Sequence, residues 1–308
     1  MRKSQIMKRT TRHALLGVGL SAVLATGVFA QQDFSKVQIK TTKLASNLYS
    51  LEGQGGAIGV LTGPDGVLMV DSQFAPLTER IVAAIKAVDQ GPIRYLINTH
   101  VHGDHTGGNA NLGAMGVTII ARPQLRARLE KPGPTATGTP GTPAPAAALP
   151  RLTYDDAPMT LYMNGEQVQL IPIPVAHTDG DTLVKFVNAD VIMTGDFYRS
   201  TGYPNIDRAN GGTLTGMLAG LNKILELSGP ATRILPGHGA IVDKAAVAAH
   251  RDMIIGIRDK MAPMVKKGMT AEQIAAAKPT SEYDAKMGDS GTTGARFVGQ
   301  LYAELGGK

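Results

Sequence analysis

Residues 98–109, Asn-Thr-His-Val-His-Gly-Asp-His-Thr-Gly-Gly-Asn, follow directly on the apolar run 93–97. They put four side chains able to hold a metal, His100, His102, Asp104 and His105, within six positions. Alternate residues of an extended segment face the same way, so His100 and His102 can converge on one ion, and the turn through Gly103 swings Asp104 and His105 toward a second. A chain built around this segment has to present it at the end of a strand, where ligands from elsewhere can reach the same ions. The sequence contains no cysteine. That excludes disulfides and thiolate sites, so any metal chemistry here uses imidazole and carboxylate.

The remaining ligands can be sought in the same topological situation. His177 lies in Pro-Val-Ala-His-Thr-Asp-Gly-Asp (174–181) and His238 in Leu-Pro-Gly-His-Gly (235–239), each where a strand gives way to a glycine-containing loop. Asp196 follows another strand, in Met-Thr-Gly-Asp-Phe (193–197). Every candidate therefore sits just past a strand, the edge of an α/β sheet at which sites are usually built. His250, the histidine left over beyond residue 30, reads as a solvated side chain on a surface helix.

Residues 1–30 carry Arg2, Lys3, Lys8, Arg9 and Arg12, an apolar run over 14–29 and the small-x-small ending Val28-Phe29-Ala30. This is the pattern of a secretory signal peptide cleaved after Ala30, which predicts a periplasmic or secreted protein. The five basic residues of the leader have no acidic counterpart there, so without it the formal charge falls from +6 to +1. A near-neutral chain gives no electrostatic case for nucleic acid, whose binding rests on neutralising several phosphates. Residues 31–308 hold no apolar run near the ~20 residues of a membrane helix. The expectation is one soluble globular domain over 31–308, acting on a small molecule and bound to no membrane once the leader is removed.

Hydrophobic patterning places strands over 47–52, 57–61 and 67–71, joined by glycine-rich turns as an antiparallel meander. A helix over 78–89 and a strand over 93–97 follow. Further strands are predicted at 117–121, 167–173, 183–187, 191–194 and 232–235, with helices at 124–130 and 214–227. The C-terminal part, 243–308, reads as helices: one capped by Asp243 and reaching about Lys267, then 271–277 and 293–305. Mixed strands and helices favour a layered α/β sandwich. Apart from Lys131 and Leu149, residues 131–150 are proline, glycine, threonine and alanine, which predicts a flexible surface loop, either an inert insertion or a lid.

The His-x-His-x-Asp-His cluster, the later lone His177, the Gly-Asp at a strand end and the Pro-Gly-His-Gly turn resemble the metallo-β-lactamase-fold hydrolases, in that family's order and over nearly the whole of 31–308. The resemblance implies a four-layer αβ/βα sandwich with two zinc ions on its edge. It assigns His100, His102 and His177 to the first Zn²⁺ and Asp104, His105 and His238 to the second, with Asp196 bridging. Asp71, at the end of the strand 67–71, resembles the family's aspartate that orients a ligand imidazole; a turn-forming Asp beside Ser72 is the other reading.

The chemistry implied is hydrolysis. Two zinc ions lower the pKa of a bridging water, giving a hydroxide nucleophile without Ser or Cys, and polarise the carbonyl under attack. Asp104 is the candidate to orient that water and pass its proton to the leaving group. Asp196, where lactamases with His at the second site usually carry Ser, is typical of thioester, lactone and phosphodiester hydrolases. Arg199 stands at an offset where some lactamases bind a substrate carboxylate, and it reads equally as an exposed charge. Tyr198, Tyr203 and Asn205 could offer a hydroxyl or amide to a developing oxyanion, or simply be the polar residues of a loop. No glutathione-binding tail is recognisable. The first reading is a periplasmic dizinc hydrolase of a β-lactam-like cyclic amide, lactone or ester. Thioester or phosphodiester hydrolysis, a mononuclear-iron sulfur dioxygenase of the same fold and a zinc-stabilised binding protein are the alternatives.

Overall fold

A computed structural model describes residues 33–134, 139–288 and 291–307. The leader expected over 1–30 lies outside the described residues. The first sheet is continuous in sequence order: β1 (Lys40–Lys43), β2 (Leu48–Glu52), β3 (Ile58–Leu61), β4 (Val67–Val70), β5 (Ile93–Ile97), β6 (Thr118–Ala121) and β7 (Leu152–Thr153). Its first four strands form the antiparallel meander, and from β4 onward the pairing is parallel. Parallel neighbours need crossovers, and the helices α1 (Thr78–Lys86), α2 (Gly103–Thr106), α3 (Asn109–Ala114) and α4 (Pro123–Glu130) occupy them.

The second sheet holds β8 (Met159–Met163), β9 (Glu166–Pro172), β10 (Thr182–Phe186), β11 (Val191–Met193) and β12 (Arg233–Leu235), in the order β12-β11-β10-β9-β8. All pairs are antiparallel except β11 with β12, whose crossover is α5 (Leu214–Leu227). The chain ends in α6 (Lys244–Lys266), α7 (Ala271–Ala276), α8 (Ser281–Met287) and α9 (Gly294–Glu304).

Strand alternation assembles these pieces into four layers. In β4, Leu68 and Val70 turn toward the other sheet and meet Val168, Leu170, Val184 and Phe186. Val67 and Met69 turn the opposite way, onto Leu77, Ile81 and Ile85 beside α1 and Leu112 of α3. Across the second sheet, Leu183, Ile192 and Ile234 pack on Met217, Leu221 and Ile224 of α5 and on α6. The order helix, sheet, sheet, helix is the αβ/βα sandwich expected from the sequence.

Local signals fix several boundaries. Thr213 caps α5 by accepting from the Gly216 N–H at 3.0 Å, and Asp243 caps α6 by accepting from the Ala246 N–H at 2.9 Å. The buried positions Val247, His250, Ile254, Ile257 and Met261 then recur along α6 at three- and four-residue spacing. His250 belongs to that stripe. It is buried, with its ring edge-on to Tyr198 at 5.1 Å, so the expectation of a solvated side chain is corrected.

Within the expected loop 131–150, residues 135–138 lie outside the described residues. The stretch after them is tied back to its neighbours. The Ala144 N–H donates to Leu129 O at 2.9 Å, Ala146–Ala148 make a 3₁₀ turn, and Asn109 Nδ2 donates to Ala148 O at 3.2 Å.

Candidate metal centre

The site grows from the parallel pair β4–β5. Because Val70 and Ile97 are register partners, the residues after them emerge side by side, and the Asp71 N–H donates to Ile97 O at 2.8 Å. Asp71 leaves its strand with φ 63°, the left-handed region that a short polar residue tolerates better than most. That turn carries its carboxylate under the next loop. Oδ1 accepts the Thr99 N–H at 2.8 Å, and Oδ2 accepts both the Thr99 hydroxyl and His105 Nδ1–H, each at 2.7 Å.

These bonds decide which ring nitrogens carry hydrogen. Thr99 spends its own proton on Asp71, so its oxygen, 3.1 Å from His100 Nδ1, accepts from that ring. His102 Nε2–H donates to Asp207 Oδ2 at 2.7 Å and His177 Nδ1–H donates to Asn205 O at 2.6 Å. In His100, His102 and His177 the outer nitrogen is therefore the donor and the inner one a bare lone pair, whereas burial of His105 is outweighed by Asp71 and Asp196, which hold that ring well above the ordinary imidazole range. Inner nitrogens of His102 and His177 lie 2.9 Å apart. With both outer nitrogens protonated that contact is two lone pairs aimed at one point, the arrangement a cation relieves.

Two further observations fit a metal. His100 Nε2, His105 Nε2 and Asp196 Oδ1 are buried without a hydrogen-bond partner, a costly state for polar atoms unless something else satisfies them. Ligand atoms also fall into three groups, each within 4.8 Å: His100, His102 and His177; Asp104, His105 and His238; and His100, His105 and Asp196. Asp196 stands between the first two groups. Its Oδ1 is 3.2 Å from His105 Nε2, and its Oδ2 lies 3.3 Å from His238 Nε2 and 3.9 Å from His177 Nε2. Asp104 Oδ2 reaches His238 Nε2 at 3.1 Å and His105 Nε2 at 3.7 Å.

Electrostatics point the same way. Burial, reinforced by the neighbouring His105 and His177, holds His100 well below the usual imidazole range, and burial pushes His177 down to about 4. Burial would raise Asp196, but the His105 charge and hydrogen bonds outweigh it and keep the carboxylate ionised. Burial would likewise lower His238, yet its bonds to Asp104 and Asp196 push it up to about 9. The centre thus combines neutral imidazoles at His100 and His177 with ionised carboxylates that hold positive charge on His105 and His238, where the pull of Asp71, Asp104 and Asp196 outweighs burial.

Close approach demands glycine at two places. A Cβ on Gly237 would stand 2.0 Å from Asp196 Oδ1, and one on Gly56 would stand 2.1 Å from the His105 ring. The Pro-Gly-His-Gly turn therefore serves two purposes: its histidine faces the centre, and its first glycine leaves room for Asp196.

The structure brings together all seven residues expected as ligands, with Asp71 beneath them. It places the expected substrate residues elsewhere. Tyr203 is buried against Phe297, its hydroxyl donating to Asp284 Oδ1 at 2.6 Å and to Thr280 O at 3.1 Å. The Asn205 side-chain oxygen accepts from Gln300 Nε2 at 2.8 Å and Arg296 Nη2 at 3.2 Å, so this residue serves His177 through its backbone instead. Tyr198 packs on His250, and Arg199 is buried beneath Gly291, which corrects its reading as an exposed charge.

Thr99 and Asp207 were missed by the sequence reading. Thr99 adjoins the motif and could have been found as the residue bridging a strand-end Asp to His100. Asp207 comes from a loop distant in sequence, and no spacing signals it.

The fold and this histidine–aspartate rim define a metal-dependent, hydrolase-like class of protein. The profile of the metallo-β-lactamase superfamily matches residues 52–238, and the chain belongs to that superfamily. Among curated proteins it is 26% identical over 179 residues to a β-lactamase-like protein 2 homolog of Caenorhabditis elegans, covering 58% of this chain and 53% of that protein. It is 34% identical over 145 residues to a hydroxyacylglutathione hydrolase of Shewanella baltica, covering 46% of each. The chain thus spans about half the length of these relatives. Solved structures with the same fold include the sec-alkylsulfatase Pisa1 from Pseudomonas sp., with TM-score 0.67, 16% identity and coverage of 86% of this chain and 50% of that one. The DIM-1 metallo-β-lactamase matches with TM-score 0.57, 18% identity and coverage of 71% and 99%.

Proposed function

We propose that this protein is an exported dizinc hydrolase acting on a small molecule that carries a strained or activated carbonyl: a cyclic amide, lactone, ester or thioester. The observation that carries the reading is the pattern of inner atoms left bare. His100, His102 and His177 would hold one zinc, Asp104, His105 and His238 the other, and Asp196 would touch both. When bound, such a pair supplies a water of lowered pKa and an electrophilic contact for the carbonyl oxygen.

The rest is work for the chain. Thr99, Asp71, Asp207 and the Asn205 carbonyl fix the four imidazoles so that no reorientation is needed on binding. Asp104 is partly exposed at the centre and held below its ordinary range; although burial opposes this, its bond to His238 and the charge of His105 prevail. It is the residue positioned to accept the water's proton and hand it to the leaving group.

Asp196 in place of Ser and the partial likeness to a hydroxyacylglutathione hydrolase favour ester, lactone and thioester substrates over efficient β-lactam hydrolysis. Phosphodiesters remain the second substrate class, and a single iron with dioxygenase chemistry the second reaction class. The leader supports a periplasmic setting, and the near-neutral remainder argues against a nucleic-acid partner. Assay of the metal-loaded protein against β-lactams, lactones, thioesters and phosphodiesters is the test. Hydrolysis of a lactone or thioester at a kcat/KM well above that for β-lactams is expected; turnover confined to phosphodiesters would overturn the carbonyl assignment.

A further inference from the structure

A cavity of about 280 Å³ opens between α6, the 198–200 segment and α8. None of the seven candidate ligands lines it. Tyr198 is extended, with φ −134° and ψ 134°, so Tyr198 and Ser200 face the same way, into this space. Val242, Ala246, Met253 and Met287 give most of the remaining wall an apolar character.

The polar groups here are not explained by the fold. His250 and Tyr198 are buried to 8% and 2% exposure, yet neither side chain makes a hydrogen bond within the described residues; their contact is ring edge to ring face. The imidazole and the phenol thus leave their polar atoms to whatever occupies the cavity, and a ligand that satisfies them can replace the water there. Lys286 also lines the space, and the buried Arg199 nearby leaves its Nε unpaired. Charge around His250 is therefore one-sided. Burial, then Arg199 and Lys286, push its pKa down to about 4. The carboxylate nearest in effect, Asp243, which adds to burial in raising the Tyr198 phenol, is spent capping α6.

We propose that this cavity is a second binding site, for a small apolar monocarboxylate whose head group meets Lys286, His250 and Tyr198 and whose body lies against Met253 and Met287. An apolar wall with one cationic end excludes multiply charged inorganic anions, which would lose more hydration than the site returns, and neutral isosteres lack the charge-assisted bond. The assignment is independent of the reaction at the metal centre.

The test is calorimetric titration of the metal-loaded protein with benzoate, with its neutral isostere benzamide and with inorganic phosphate. Benzoate is expected to bind once per chain, with benzamide and phosphate at least about tenfold weaker, as loss of one charge-assisted hydrogen bond implies. Lys286→Met, a change at an exposed residue, should weaken benzoate about tenfold or more. Ala249→Phe at the exposed mouth should abolish binding, and neither variant should change the metal content. Absence of saturable benzoate binding, equal affinity for benzamide, or tighter phosphate binding would overturn the proposal. So would benzoate binding that survives both variants and disappears with a chelator, because the ligand would then sit on the metal centre.

Discussion

In the first ligand group, His100, His102 and His177, every imidazole spends its outer nitrogen on an oxygen of the protein: Thr99, Asp207 and the Asn205 carbonyl. In the second group only His105 is anchored in this way, through Asp71, while His238 is partly exposed and its second ring nitrogen has no protein partner among the described residues. The first group is a preorganised cradle of neutral donors. The second gains its attraction from the charges of Asp104 and Asp196 and gives up rigidity. Two cations at this rim would thus be held by different physics, one by fixed geometry and one by charge.

The largest break in that comparison comes from removing a ligand of the preorganised group. His102→Ala should reduce turnover by roughly a thousandfold or more while circular dichroism reports an unchanged fold. Activity within a fewfold of the parent would mean that this group does no chemistry.

Acidification should separate the groups next. His238 holds its proton up to about 9, so an ion in the second group must displace that proton at any lower pH. Its apparent affinity should fall at least about tenfold for each pH unit below that value, because His105, raised well above the ordinary imidazole range by Asp71 and Asp196 although burial opposes this, holds a proton too. His177, held down at about 4, imposes no such competition on the first group near neutrality. Titrations of bound metal against pH should show the second ion leaving first; loss of both together would erase the distinction.

Asp71 joins the groups, because its Oδ2 holds His105 directly and His100 through Thr99. Asp71→Asn should weaken both ions by about ten- to a hundredfold. Asp207→Asn is the narrower test, with about a tenfold loss confined to the first group. Equilibrium competition with a chelator resolves the two cases, and a loss of the second ion in Asp207→Asn would show that the outer bonds do not act locally.

The candidate ligands were legible in the sequence because each follows an apolar strand, and parallel or crossover pairing brings strand ends to one edge. His100 to His105, His177, Asp196 and His238 all obey that rule. Tyr203, Asn205 and Arg199 were misread for the converse reason. Their loop is long, and proximity in sequence to Asp196 does not reveal that the C-terminal helices cover it and capture the Tyr203 hydroxyl and the Asn205 amide. His250 shows a different failure: the stripe Val247, Ile254, Ile257, Met261 was present in the sequence, but residue type was weighed over helical position. The strand β1, Lys-Thr-Thr-Lys, lacks an apolar run and was invisible to hydrophobic patterning.

Elemental analysis of the purified protein, paired with stepwise removal and return of metal, tests the central claim most directly. Two zinc ions per chain are predicted, the first removed belonging to the Asp104, His105 and His238 group, with hydrolysis lost on chelation and restored by zinc. One iron per chain, or full hydrolytic activity in protein stripped of metal, would contradict it.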